Sequence, residues 1–266
     1  MIKHKPFSEF IYQLFALILA LIFVHAIYVT VIRPAANAIL EKQRALQEAG
    51  EVYEVERSLF VVIKDYEQEA CFILAFWVLA IMGLKAHGLM QERRLLGQSL
   101  LDVTPGISIL AEDVRQYSRR LQTLPPEERE HLLPRALLSA LQRFGSTHNV
   151  QDASAAVREV CETESDRLYS ELSLVRYIIW AIPSIGFIGT VRGIGEALGQ
   201  AHKAVEGDIV GVTVSLGVAF NSTFIALLIS IFIMFLIHQL QLMQERLVLD
   251  AQNYADVNLI RHLQVR

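Results

Sequence analysis

The sequence predicts an all-α, polytopic membrane protein of four transmembrane helices with a cytoplasmic helical extension, and three observations predict it. Of its 266 residues, 53% are hydrophobic and only 20% charged, and mean hydropathy is +0.37, a balance soluble domains rarely show. The apolar residues gather into blocks longer than an ordinary core helix needs. Seven prolines and 14 glycines are too few for a linker-rich chain, and no repeat of tens of residues recurs. Against 28 acidic residues stand 24 basic ones, with no Lys/Arg-rich run, which excludes a nucleic-acid binder. Cys71 and Cys161 lie far apart with no metal-ligand spacing, so neither a disulfide framework nor a zinc site is expected.

Residues 1–10 are read as a cytoplasmic tail. From Ile11 to Ile32, 22 residues carry no formal charge, about 33 Å of helix and enough to cross a bilayer. A cleaved secretory signal is the alternative, with Lys3 and Lys5 as its basic start. The apolar run continues through Ile32, past where a signal would end, and favours an uncleaved anchor. Residues 33–69 hold five basic and eight acidic side chains and read as a helical, solvated periplasmic loop, with Ser58 to Ile63 at the membrane surface.

The second span, 70–90, has a core of 15 uncharged residues, Ala70 to Leu84. Lys85 is expected to snorkel to the headgroups and Trp77 to offer an interfacial ring. Residues 91–173 form the cytoplasmic block. Helix starts are expected at Thr104-Pro105 and Pro125-Pro126, with Gly145 ending the second helix. From about Gln151 a helical stripe, Ala156, Val160, Leu168, Leu172 and Val175, runs without a breaker to Pro183, so this helix is expected to continue into the third span.

The third span, 174–200, contains Arg192 and Glu196, four apart on one helix face and able to neutralise each other. A turn at 201–208 leads into the fourth span, 209–240. There, 29 uncharged residues from Ile209 to Ile237 require tilt or protrusion. Residues 241–266 are expected to be a cytoplasmic tail. Loop charge is balanced enough to leave orientation ambiguous, and both termini are read as inside.

Within the third span Pro183, Gly186, Thr190, Gly193 and Ala197 make one small-residue stripe. Ser215, Ala219, Ser222, Ala226 and Ser230 make another in the fourth, with Asn221 and Thr223 alongside. Such stripes ordinarily serve close helix packing, with hydroxyls bonding the carbonyl one turn earlier. Two on consecutive spans can instead face one cavity. Gly193-Ile-Gly195-Glu-Ala-Leu-Gly199 follows no strand, so it is no dinucleotide loop. His25 and His238 are single histidines near or inside spans, and no catalytic or metal-binding constellation emerges.

The stretches Trp180-Ala-Ile-Pro-Ser-Ile-Gly-Phe-Ile-Gly-Thr-Val-Arg-Gly-Ile194 and Leu216-Gly-Val-Ala-Phe-Asn-Ser-Thr-Phe-Ile-Ala-Leu-Leu-Ile-Ser230 resemble the MotA/TolQ/ExbB proton-channel family. The resemblance covers roughly residues 150 to 245. The four-span layout is similar to flagellar stators and the motif wording to TolQ and ExbB. It implies a homopentamer in a bacterial inner membrane, enclosing single-span partners of the MotB/TolR/ExbD kind whose aspartate takes and releases the proton. Thr190 and Thr223 match the family's pore threonines and Pro183 its proline. Pore-lining roles are expected for Pro183, Gly186, Thr190, Gly193, Ser215, Ala219, Asn221, Ser222 and Thr223, and a gate or ion pair for Arg192 and Glu196. Catalytic residues, cofactors and resident metals are not expected; protons or sodium ions are the transported species. Two departures stand out: Val218 occupies a position where ExbB-like sequences often carry an acid, and Arg192 one where many relatives are apolar or aromatic. This chain has no isolated acid deep in a span, so a titrating carboxylate would have to come from a partner. A membrane sensor without ion flow and a scaffold whose glycines serve only packing are the competing readings.

Overall fold

The computed structural model describes residues 6–48, 58–101, 108–205 and 209–265. The sequence expectations for the first five residues, for Thr104-Pro105 and for the turn at Glu206-Gly207-Asp208 lie outside them. In chain order the helices are α1 (Pro6–Ile27), a π-helical turn (Tyr28–Ile32), α2 (Arg33–Glu48), α3 (Leu59–Ile63) and α4 (Tyr66–Leu96). They continue with α5 (Val114–Gln122), α6 (Pro126–Arg129), α7 (Leu132–Thr147) and α8 (Val150–Glu171). Last come α9 (Ser173–Gly199), α10 (Ala201–Val205), α11 (Val210–Asn258) and a 3₁₀ turn at Ile260–His262. Among the described residues the only extended pairing is an isolated bridge between Ile109 and Leu263. Four helical stretches, Glu9–Gln43, Tyr66–Leu96, Val150–Gly199 and Val210–His262, are long and apolar enough to cross a membrane.

The described residues divide into two units, one built from those of 6–82 with Leu174–Leu236, the other from those of Gly83–Ser173 with 237–265. In the first, α1 runs through the π turn directly into α2. Pro34 is the physical reason for the widened turn: it has no N–H for the carbonyl four residues back and its ring crowds that carbonyl. The Arg33 N–H reaches back to the Tyr28 carbonyl instead. Polar anchors then tie α1 to α4. The Trp77 indole N–H donates to the Gln13 carbonyl at 2.8 Å, and the Tyr12 hydroxyl to the Ala80 carbonyl at 3.1 Å. Trp77 thus spends its N–H on α1, not on the interface the sequence suggested. Val24, Tyr28 and Ile32 pack against Ile63, Phe72 and Ile73.

The second unit has a core of Leu133, Leu137, Leu141 and Phe144 from α7, Val157 and Cys161 from α8, and Ala251, Ala255, Leu259 and Leu263 from the C-terminal stretch. Three expectations are corrected here, for residues 241–266, Pro125-Pro126 and Gly145. Residues 241–266 are no detached tail: α11 continues to Asn258 and the segment beyond packs into this core. Pro125-Pro126 starts only the short α6, and the helix that follows passes through Gly145 to Thr147. It stops because His148 turns left-handed, φ 50°. Gly145 stays helical, and a Cβ there would stand 3.2 Å from Val114 Cγ1, so its missing side chain serves packing. The long rod from Val150 to Gly199 forms, with one irregular residue, Leu172 (φ −90°, ψ 3°), between α8 and α9. Lys85 ion-pairs with Glu171, in the same unit, at 2.7 Å.

Candidate functional site: the seam between α9 and α11

The two small-residue stripes meet face to face. A Cβ on Gly193 would stand 2.7 Å from both the Ala219 nitrogen and the Ser215 carbonyl oxygen. On Gly189 it would stand 2.5 Å from Ser222 Cβ, and on Gly186 3.0 Å from the Ser222 carbonyl oxygen. Each glycine therefore marks a point where any larger residue would push the helices apart. Within one chain the stripes face each other, because the absent side chains let the backbones close.

Polar groups line this contact in antiparallel register. The Thr190 and Thr223 hydroxyls hydrogen-bond each other. Thr190 also reaches the Ala219 carbonyl at 3.0 Å and Thr223 the Gly186 carbonyl at 3.1 Å. The Ser222 hydroxyl is buried and donates to the Val218 carbonyl at 2.8 Å, the back-bond such residues commonly make. At one end of the seam Gln200 donates from its amide nitrogen to the Ser215 hydroxyl at 3.3 Å. Towards the other, Pro183 has no N–H to give the Ile179 carbonyl, and the buried Ser230 hydroxyl stands 3.4 Å from that carbonyl to supply a donor. Proline in α9 and serine in α11 are thus a matched pair, one opening an acceptor and the other answering it.

Burial separates the centre of the seam from its edges. Gly186, Gly189, Gly193, Ser215, Ala219 and Ser222 are buried, whereas Pro183, Thr190 and Thr223 are half-buried. The hydroxyl pair therefore sits at an edge, where a group from outside the chain can approach it. Asn221 stands about 200° round α11 from Ala219, away from the seam. The stripes thus bring together every expected pore-lining residue except Asn221.

Arg192 lies about 200° round α9 from Thr190. Its guanidinium bonds Glu196 at 2.9 Å, and also grips Glu67 at the start of α4 through two bonds of 2.7 and 2.9 Å. The sequence reading missed Glu67, 125 positions away, because no local spacing links the two. It missed a second cluster in the same way. Glu69, almost fully buried, accepts from His25 Nδ1 at 2.6 Å and from Arg33, whose guanidinium also lies 4.3 Å from the centre of the Tyr66 ring. His25 is therefore paired across two spans. Glu67 and Glu69 anchor one end of α4 to α9 and to the α1–α2 helix respectively.

Residues 128–253, a little under half of the chain, match the model of the MotA/TolQ/ExbB proton channel family. Through this segment the chain is similar to the MotA/TolQ/ExbB family. No curated protein and no solved structure matches it. The family segment contains both stripes, the Thr190–Thr223 pair and Arg192, while His25, Glu67 and Glu69 lie outside it. With four membrane-capable helices and a segment that matches a proton channel family, the protein is a multi-pass membrane protein.

Proposed function

We propose that this chain is the channel-forming stator subunit of a proton-driven motor in a bacterial inner membrane. Copies of the chain, five in this reading, surround a single-span partner of the MotB/TolR/ExbD kind that carries the titrating aspartate. Both termini and the second unit lie on the cytoplasmic side. Ion flow past the partner's carboxylate is coupled to mechanical work on the envelope or on transport. Protons are the favoured species and sodium ions the alternative.

The observation that carries this reading is the Thr190–Thr223 hydroxyl pair at a half-buried edge of a glycine-lined seam, inside the segment that matches the family. Hydroxyls can donate to a carboxylate and hold water beside it, which is what a neighbour to someone else's titrating group has to do. The pair is satisfied within the chain, so an incoming carboxylate would exchange one hydroxyl–hydroxyl bond for a charge-assisted one.

The test begins with native mass spectrometry of the chain purified in mild detergent with whatever co-purifies. An oligomer that retains a single-span protein with a membrane aspartate supports the stator reading. Proton uptake by that assembly in liposomes, followed with a pH-sensitive dye, should then fall about tenfold or more in Thr190→Val and Thr223→Val, which keep shape and remove only the hydroxyl. A monomer without such a partner, or unchanged uptake in both variants, would overturn the reading in favour of a sensor or scaffold.

A further inference from the structure

Arg192 is an unwelcome charge near a path for cations. An unpaired guanidinium at the mouth of such a path repels the ions meant to enter it. Its placement shows how this chain manages the charge. Within α9, Arg192 and Glu196 are four apart on the face turned away from the Thr190 edge, and Gly189 lies between that face and the seam. Glu67 comes to that face from α4, its stem packed where a Cβ on Gly189 would stand 3.1 Å from Glu67 Cγ. Gly189 thus admits two neighbours at once, Ser222 from α11 and Glu67 from α4. The Glu67 carboxylate is mostly buried and takes two of the guanidinium's N–H groups, leaving Glu196 a third.

We propose that Glu67 is a positioning residue for the proton path: it draws Arg192 to the α4 side of α9 and overcompensates its charge, leaving the Thr190–Thr223 edge open to cations. The role rests on the proton path proposed above. Two carboxylates on one guanidinium give the cluster a net charge of −1. Replacing Glu67 by glutamine removes that excess and takes away one of the guanidinium's two acceptors on α4, so a long, flexible stem can carry the charge towards solvent. Neutralising Arg192 in the same chain returns the cluster to −1 through Glu196 alone. A purely structural staple makes the opposite forecast, since the double variant has lost both halves of the clamp.

The experiment measures dye-reported proton uptake by the assembly purified from its own membrane and reconstituted in liposomes. Wild type, Glu67→Gln, Glu67→Gln/Arg192→Gln and Thr190→Val/Thr223→Val are compared at low and high potassium chloride. Glu67→Gln is expected to lower uptake about tenfold at low salt, with the deficit shrinking to about threefold or less at high salt, because exposed charges are screened. The Glu67→Gln/Arg192→Gln chain is expected within about twofold of wild type at either salt. A double variant as poor as the single, or a Glu67→Gln deficit that salt leaves untouched, would reduce Glu67 to a staple and overturn the inference. Loss of uptake in the threonine variants with none in Glu67→Gln would also overturn it while leaving the proton path standing. Wild-type levels in the threonine variants would overturn the path, and the role of Glu67 with it.

Discussion

The Thr190 and Thr223 hydroxyls are hydrogen-bonded to each other across the α9–α11 seam, and the Gly186 carbonyl lies within reach of both, an acceptor for the hydroxyl that does not donate to its partner. The two side chains therefore act as one unit. Replacing either by valine removes the other's hydroxyl partner and leaves it only a carbonyl, so Thr190→Val, Thr223→Val and the double variant are expected to lose similar amounts of proton uptake, and the double-mutant cycle to be strongly non-additive. Additive losses, each small, would show two independent hydroxyls instead of a pair.

The glycines give a contrast within one turn of helix. Gly193 has no room for a methyl group, whereas nothing lies within 4 Å of a Cβ on Gly195. Gly193→Ala is expected to separate the helices and cost about 1–3 kcal/mol, while Gly195→Ala is expected to be neutral or slightly stabilising. Thermal unfolding of both variants in the same detergent checks this. Equal melting temperatures would mean that the close approach at Gly193 is not maintained.

Pro183 and Ser230 are linked through the Ile179 carbonyl. Ser230→Ala removes the donor nearest that buried carbonyl and is expected to cost about 1–2 kcal/mol. Pro183→Ala restores a backbone N–H to the same acceptor, so Ser230→Ala should cost distinctly less in the Pro183→Ala background. Unfolding of the four chains in parallel measures the coupling, and a coupling near zero would mean that the serine does not answer the proline.

The four spans and both small-residue stripes were legible because they are local: unbroken apolar runs and steps of three and four on one helix. The Thr190–Thr223 partnership could be anticipated only through the family motif, since periodicity alone does not say which stripe faces which. Glu67 with Arg192, and Glu69 with His25 and Arg33, escaped notice because they join residues far apart in the chain whose only sequence mark is a carboxylate near the start of a span. Gly145 misled for a related reason. Glycine commonly ends helices, but here the missing side chain makes room for Val114 and the left-handed residue is His148. The C-terminal stretch misled because its charges and glutamines suggest solvent, while Leu247, Ala251, Ala255, Leu259 and Leu263 recur at helical or near-helical steps and are buried.

That stretch gives the last prediction. The Ile109 N–H donates to the His262 carbonyl at 2.7 Å, and the Gln264 N–H to the Ile109 carbonyl at 3.0 Å, so one buried residue is gripped from both sides by the end of the chain. Leu259 and Leu263 are 0% and 5% exposed. Each contributes about 1.5–3 kcal/mol by leaving water, and their removal would also uncover Ile109 and its two backbone groups. Ending the chain after Asn258 is therefore expected to cost about 3 kcal/mol or more, a large part of the stability of an ordinary domain. Val265→Ala, at a side chain 58% exposed, should leave stability within about 0.5 kcal/mol of wild type. Limited proteolysis and thermal unfolding of the two variants distinguish a docked end from a loose one: if the shortened chain melts and resists protease as the full one does, the last residues are not part of the core.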